Sequence, residues 1–133
     1  MNIGLIAHDN KKILMENLCL AYRQILSKHT LIGTWTTGRL IEENTGLSVK
    51  KYLAGHLGGI QQMSVQIAHN DIDLFIFLID PLSQNRYGDE EMNNVLKLCD
   101  IHNIPVATNL ATAEALLLAL DRGDFAWREL IRD

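Results

Sequence analysis

The side chains best suited to chemistry fall into a few short segments: His8-Asp9-Asn10-Lys11-Lys12, Thr34-Trp35-Thr36-Thr37-Gly38, Ile79-Asp80-Pro81 and Thr108-Asn109. A further segment, Ala54-Gly55-His56-Leu57-Gly58-Gly59-Ile60-Gln61-Gln62, sets glycines, a histidine and two amides around a branched apolar residue. Paired glycines let backbone approach a partner closely or take positive φ. The polar neighbours suggest a polar ligand, and isoleucine is the least useful residue for chemistry there. TWTTG joins a strand to a helix. The free N–H groups and partial positive charge of a helix N-terminus suit an anion. With the hydroxyls of Thr34, Thr36 and Thr37 and the charge of Lys12, the segment reads as a phosphate pocket. Plainer accounts stay open: Thr37 as a helix N-cap, Asp9 as the cap of the first helix, His8 as a satisfied half-buried ring, and Asp80 as a turn opener before Pro81. His29, His69 and His102 fall at helix ends or surfaces. No HxH or HExxH pattern occurs, so no metal site is expected.

These segments need a frame, and the pattern supplies one. GLIA, LIGTW, DLFIFLI and PVAT are short apolar runs rich in β-branched and aromatic residues, with SVKKYL a weaker fifth. Between them lie amphipathic stretches at 11–28, 37–46, 59–70, 89–103 and 111–122, with apolar residues at three- and four-residue steps. Alternating strands and helices imply an α/β domain with a mostly parallel sheet covered on both faces. The unbroken DLFIFLI suits its centre. In such sheets ligands bind at the carboxyl ends of the strands, where His8, Thr34, Asp80 and Thr108 fall. No repeat or linker divides residues 1–133, so a single domain is expected.

The chain has 133 residues, 47% hydrophobic and 21% charged, with a net charge of -4. That length can bury a real core, and the charge gives no reason to expect nucleic acid or an anionic membrane as partner. The apolar run Ile3–Ala7 is too short for a signal peptide or a membrane anchor. Cys19 and Cys99 are widely separated and read as reduced thiols of a cytoplasmic protein.

Taken in order, GLIAHDNKK, TTG, GHLGG-I-QQ, FLIDPL and IPVATNLATAE resemble the methylglyoxal synthase family, as does the C-terminal LDRGDFAWRELIR. The resemblance implies a single three-layer α/β domain with a five-stranded, mostly parallel sheet, assembled as a homohexamer. It also implies conversion of dihydroxyacetone phosphate to methylglyoxal and phosphate without metal or organic cofactor. A carboxylate removes a proton from the hydroxymethyl carbon, an enediolate forms, and phosphate leaves. Carried over by position, His8 and Lys12 match substrate-binding residues, Thr34, Thr36 and Thr37 the phosphate cradle, Gly55 a backbone contact, and Asp9 and Asp80 accessory acids.

The departures from the family cluster at the same site. Ile60 stands where the family has its catalytic aspartate. Tyr87 falls where a substrate-contacting histidine is expected, Ala54 replaces a serine that donates to phosphate, Trp35 replaces a glycine, and His56 replaces a proline. A large ring at Trp35 is expected to narrow or reshape the phosphate pocket. Isoleucine accepts no proton, and a positioned general base contributes roughly 10²–10⁴-fold. The expectation is therefore a pseudoenzyme that binds phosphate, a small phosphorylated metabolite or a partner protein. The alternative is a working carbon–oxygen lyase with His56, Asp9 or Asp80 as substitute base.

Overall fold

The structure, a computed structural model, describes residues 1–82 and 89–131. Its strands are β1 (Asn2–Ala7), β2 (Thr30–Gly33), β3 (Val49–Lys51), β4 (Leu74–Leu78) and β5 (Val106–Ala107). They form one five-stranded sheet in the order β3-β2-β1-β4-β5, and every pairing is parallel. The helices are α1 (Lys12–Ala21), α2 (Arg23–Leu26), α3 (Trp35–Thr45), α4 (Gly59–Ala68), α5 (Asp89–His102), α6 (Leu110–Asp121) and α7 (Trp127–Ile131). Among the described residues no helix is long and apolar enough to cross a membrane.

Strand alternation divides the core in two. Leu74, Ile76 and Leu78 of β4 join Ile3, Leu5 and Ala7 of β1 on the face covered by α1, α3 and α6. Phe75 and Phe77 join Ile6 and Ile32 on the other face, against Ile60, Met63 and Ile67 of α4 and Val95 and Cys99 of α5. Successive side chains of a strand point to opposite faces, so a strand buried on both must be apolar throughout. All five residues of β4 are buried.

Strand order also fixes where a ligand can sit. From β1 the chain winds outward through β2 and β3, then returns to β1's other side for β4 and β5. The reversal lies between β1 and β4, and the crevice beyond their carboxyl ends is where such sheets take ligands.

Two boundaries differ from the sequence reading. The strand expected to run through Trp35 ends at Gly33, where the ladder to β3 closes on Gly33↔Lys51. The Gly38 N–H donates to the Thr34 carbonyl at 2.8 Å, so Thr34, not Thr37, is the N-cap of α3. Similarly, the single helix expected over 11–28 is a 3-10 turn Asp9–Lys11 followed by α1 and α2, separated at Tyr22. Tyr22 has φ −107° and ψ 26°, yet its N–H still reaches the Leu18 carbonyl. A one-residue departure of this kind leaves the apolar spacing intact. Asp9 lies inside the 3-10 turn, with no side-chain cap bond at that turn or at α1.

At the amino edge, Arg128 of α7 is 2% exposed and Asp73 is wholly buried. The guanidinium donates to Asp73 Oδ1 (3.3 Å), Asn70 Oδ1 (2.5 Å) and the carbonyls of Ile72, His102 and Asn103. Asp73 Oδ2 accepts the Asn2 N–H at 2.8 Å. Buried charges persist when paired and hydrogen-bonded in this way. The arrangement ties the C-terminal helix to the starts of β1 and β4.

Candidate active-site cleft

A cleft of about 200 Å³ opens at the carboxyl edge. His8 and Lys12 reach it from the end of β1 and the start of α1, Thr34 and Thr36 from the β2–α3 junction, and Asp80 from the end of β4. Asp9, Asn10, Ala54, Gly55 and His56 line it as well. Ile6, Ala7, Phe77 and Ile60 form its apolar part. The structure thus gathers most of the residues singled out in the sequence around one crevice beside the topological switch.

Hydrogen bonds fix the polar wall. The Asp80 N–H donates to His8 Nδ1 at 2.9 Å, so the neutral ring carries its proton on Nε2 as a donor. Phe77 meets the same imidazole in an edge-on ring contact, with centroids 5.4 Å apart. Asp80 accepts from Asn10 Nδ2 at 2.9 Å and from the Leu82 N–H at 3.0 Å. The Asn10 bond is the main reason its carboxyl is held below the usual range, with the Leu82 N–H second. Lys12 Nζ donates to the Ala7 carbonyl at 2.7 Å and lies 3.2 Å from Asp9. An ammonium has three N–H donors, so these two contacts leave one for a ligand.

The segment around Ile60 is built for its backbone. Gly58 has φ +104°, a conformation that disfavours any side chain. At Gly59 a Cβ would overlap the Leu53 carbonyl oxygen. Gln62 Oε1 accepts the Leu53 N–H at 2.7 Å, and Gln61 Nε2 donates to Glu91 at 3.0 Å. These contacts hold Ile60 in the first turn of α4. Its side chain, 5% exposed, packs with Ile6, Phe77 and Met63 and forms part of the cleft surface.

Other residues fall elsewhere. Trp35 does not line the cleft: its ring, about half exposed, lies over Lys51 with Nζ 5.8 Å from the ring centroid. The expectation that it narrows the pocket is therefore corrected. Thr34 at the N-cap and Thr36 in the first turn of α3 both border the cleft, Thr34 buried and Thr36 exposed, whereas the Trp35 ring lies over Lys51. Thr37 also lies off the cleft, 1% exposed, with Thr34 Oγ1 3.4 Å from its Oγ1. Tyr87 lies outside the described residues. Asn10, within the HDNKK segment, also lines the cleft, as do Ile6, Ala7 and Phe77, which read in the sequence only as strand core. Burial pushes the thiols of Cys19 and Cys99 up to about 12.

The MGS-like domain model matches residues 15–108. A methylglyoxal synthase of Caldicellulosiruptor saccharolyticus is 59% identical over 131 residues, covering 98% of this chain and 92% of that protein. One from Alkaliphilus metalliredigens is 50% identical over 133 residues, covering 100% and 98%. The chain belongs to the methylglyoxal synthase family. The crystal structure of methylglyoxal synthase from Elizabethkingia anophelis NUHP1 is similar in fold, with a TM-score of 0.77 and 38% identity over 87% of this chain and 76% of that one. The likeness in fold agrees with the parallel sheet.

Proposed function

We propose that this chain binds a small phosphorylated metabolite in the carboxyl-edge cleft and has lost most or all synthase chemistry. One observation carries the reading: the residue at position 60 is an isoleucine whose side chain belongs to the cleft surface. On the family pattern that position holds the proton-abstracting carboxylate, and a hydrocarbon cannot serve. The binding half rests on the start of α3, whose N-terminus suits an anion, with Thr34, Thr36 and Lys12 lining the same cleft. Charge-assisted bonds to a phosphate are worth roughly 1.5–3 kcal/mol each, so Lys12→Ala should weaken binding at least ~10-fold.

A second reading, turnover with a substitute base, is favoured by the names of the relatives. Its candidates differ. Asp80 already accepts two hydrogen bonds and is held in its ionised form, which makes it a weak base. Asp9 is paired with Lys12. His56 borders the cleft on an exposed turn. Geometry governs proton abstraction before pKa does, and none of the three occupies the position of Ile60.

The deciding experiment follows release of methylglyoxal and phosphate from dihydroxyacetone phosphate, with the Caldicellulosiruptor relative assayed alongside and binding measured by calorimetry. Binding without turnover is the expected result. Turnover at the relative's rate would discard the proposal. The homohexamer implied by the resemblance is also proposed here. It would cover part of the exposed apolar surface, which includes Leu82 and Leu130, and light scattering showing a monomer would exclude it.

A further inference from the structure

Building on the proposed phosphate binding, we infer that the cleft prefers a phosphate monoester with a short hydrocarbon end over one bearing hydroxyl or carbonyl groups. The cleft is graded along its strands. His8 and Asp80 lie just past the ends of β1 and β4, at the rim. One step further down, Ile6 of β1 and Phe77 of β4 border the same cleft, at 3% and 1% exposure. Ile60 extends this apolar surface from α4. An aspartate at position 60 would place a charged acceptor here for a ligand hydroxyl; isoleucine removes it. A ligand oxygen against Ile60 would lose water and find no hydrogen-bond partner in that side chain, a net cost. A methylene in the same place is favourably buried. Lys12, Thr34 and Thr36 meanwhile supply the charge and hydroxyls for the phosphate, and about 200 Å³ leaves room for a few carbons beyond it.

Calorimetry of the native protein with inorganic, ethyl, n-propyl and n-butyl phosphate and with glycerol 1-phosphate tests this directly. Affinity should rise by about fourfold per methylene until the apolar surface is covered. Glycerol 1-phosphate should bind more weakly than n-propyl phosphate, which has the same carbon count. Ile60→Asn should flatten the chain-length dependence, with inorganic phosphate as each protein's own reference. The native series decides the matter even if that variant fails to fold. A flat series with measurable phosphate binding, or tighter binding of glycerol 1-phosphate than of n-propyl phosphate, would overturn the preference while leaving phosphate binding standing. Absence of binding by every phosphate would overturn both.

Discussion

Replacing Ile60 by aspartate should create measurable synthase activity at a cost in stability. Removing a side chain that is 5% exposed forfeits roughly 1.5–3 kcal/mol of burial. A carboxylate in the first turn of α4 recovers some of this from the helix dipole, about 0.3–1 kcal/mol. Burial is the larger effect, so the variant should be less stable by roughly 0.5–2.7 kcal/mol. The apolar neighbours Ile6 and Phe77 disfavour the charged form and raise the new carboxyl's pKa, toward the range in which a general base works best. A positioned base is worth roughly 10²–10⁴-fold. Ala54 still lacks a hydroxyl, so the lower end, about 10²-fold, is expected. Trp35 needs no compensating change, because its ring lies over Lys51 and not in the cleft. The assay is methylglyoxal and phosphate release from dihydroxyacetone phosphate, with a thermal melt of each protein. An Ile60→Glu comparison guards against a carboxylate that falls short, since a 1 Å misplacement can cost about 10²-fold. If both variants fold, bind phosphate and remain inert, position 60 is not where the missing base belongs.

Asn10→Ala should let the Asp80 carboxyl rise toward its ordinary value, because the Asn10 bond is the largest cause of its depression. A group held low in the folded state contributes stability above its unfolded pKa and loses it as pH falls through the folded one. Carboxyl NMR should therefore show Asp80 of the variant protonating at a higher pH than in the native protein; an unchanged titration would refute the assignment. Gly59→Ala should destabilise by about 1–3 kcal/mol, as overpacking does, since its methyl meets the Leu53 carbonyl; urea unfolding measures this, and a neutral result would mean the turn can shift freely. Arg128→Ala leaves buried Asp73 without its guanidinium and should cost about 3–5 kcal/mol. Its phosphate affinity should be unchanged if the variant folds, because the pair sits at the opposite edge from the cleft, and calorimetry below the melting temperature checks this.

The sheet was readable because its central strands, β1 and β4, are buried on both faces and so are apolar. The run at β4 leaves no polar residue for solvent, and strand–helix alternation requires parallel pairing. The cleft was readable because polar residues ended those strands. The misplaced details turn on local backbone geometry. Trp35 reads as a strand residue by its aromatic type, yet the Thr34 carbonyl had already accepted the first α3 hydrogen bond. That early start carries Thr36 to the cleft and moves Thr37 and Trp35 away from it. Tyr22 departs from helical geometry without disturbing the apolar period. Arg128 is one of three arginines near the C-terminus, with Arg122 and Arg132, and by type reads as solvated like them; only the fold brings Asp73, Asn70 and three carbonyls to its guanidinium. Ile6 and Phe77 belong both to core and to cleft, and sequence shows only the first role.

This double role bears on what a motif match can mean. In GHLGGIQQ, Gly58 supplies a positive φ, Gly59 makes room for the Leu53 carbonyl, and Gln62 receives the Leu53 N–H. Each contact would be needed to hold this turn whether the cleft catalysed a reaction or only bound a ligand. These residues therefore favour both readings equally, however closely they follow the family pattern. Position 60 is different, because its side chain reaches the cleft surface and its chemical type is not imposed by the turn. On the proposed reading, isoleucine puts hydrocarbon where the family pattern has a proton acceptor, while the backbone contacts that hold the turn do not depend on it. The distinction between synthase and binder thus rests chiefly on this side chain, and the Ile60→Asp and Ile60→Asn variants probe opposite consequences of it.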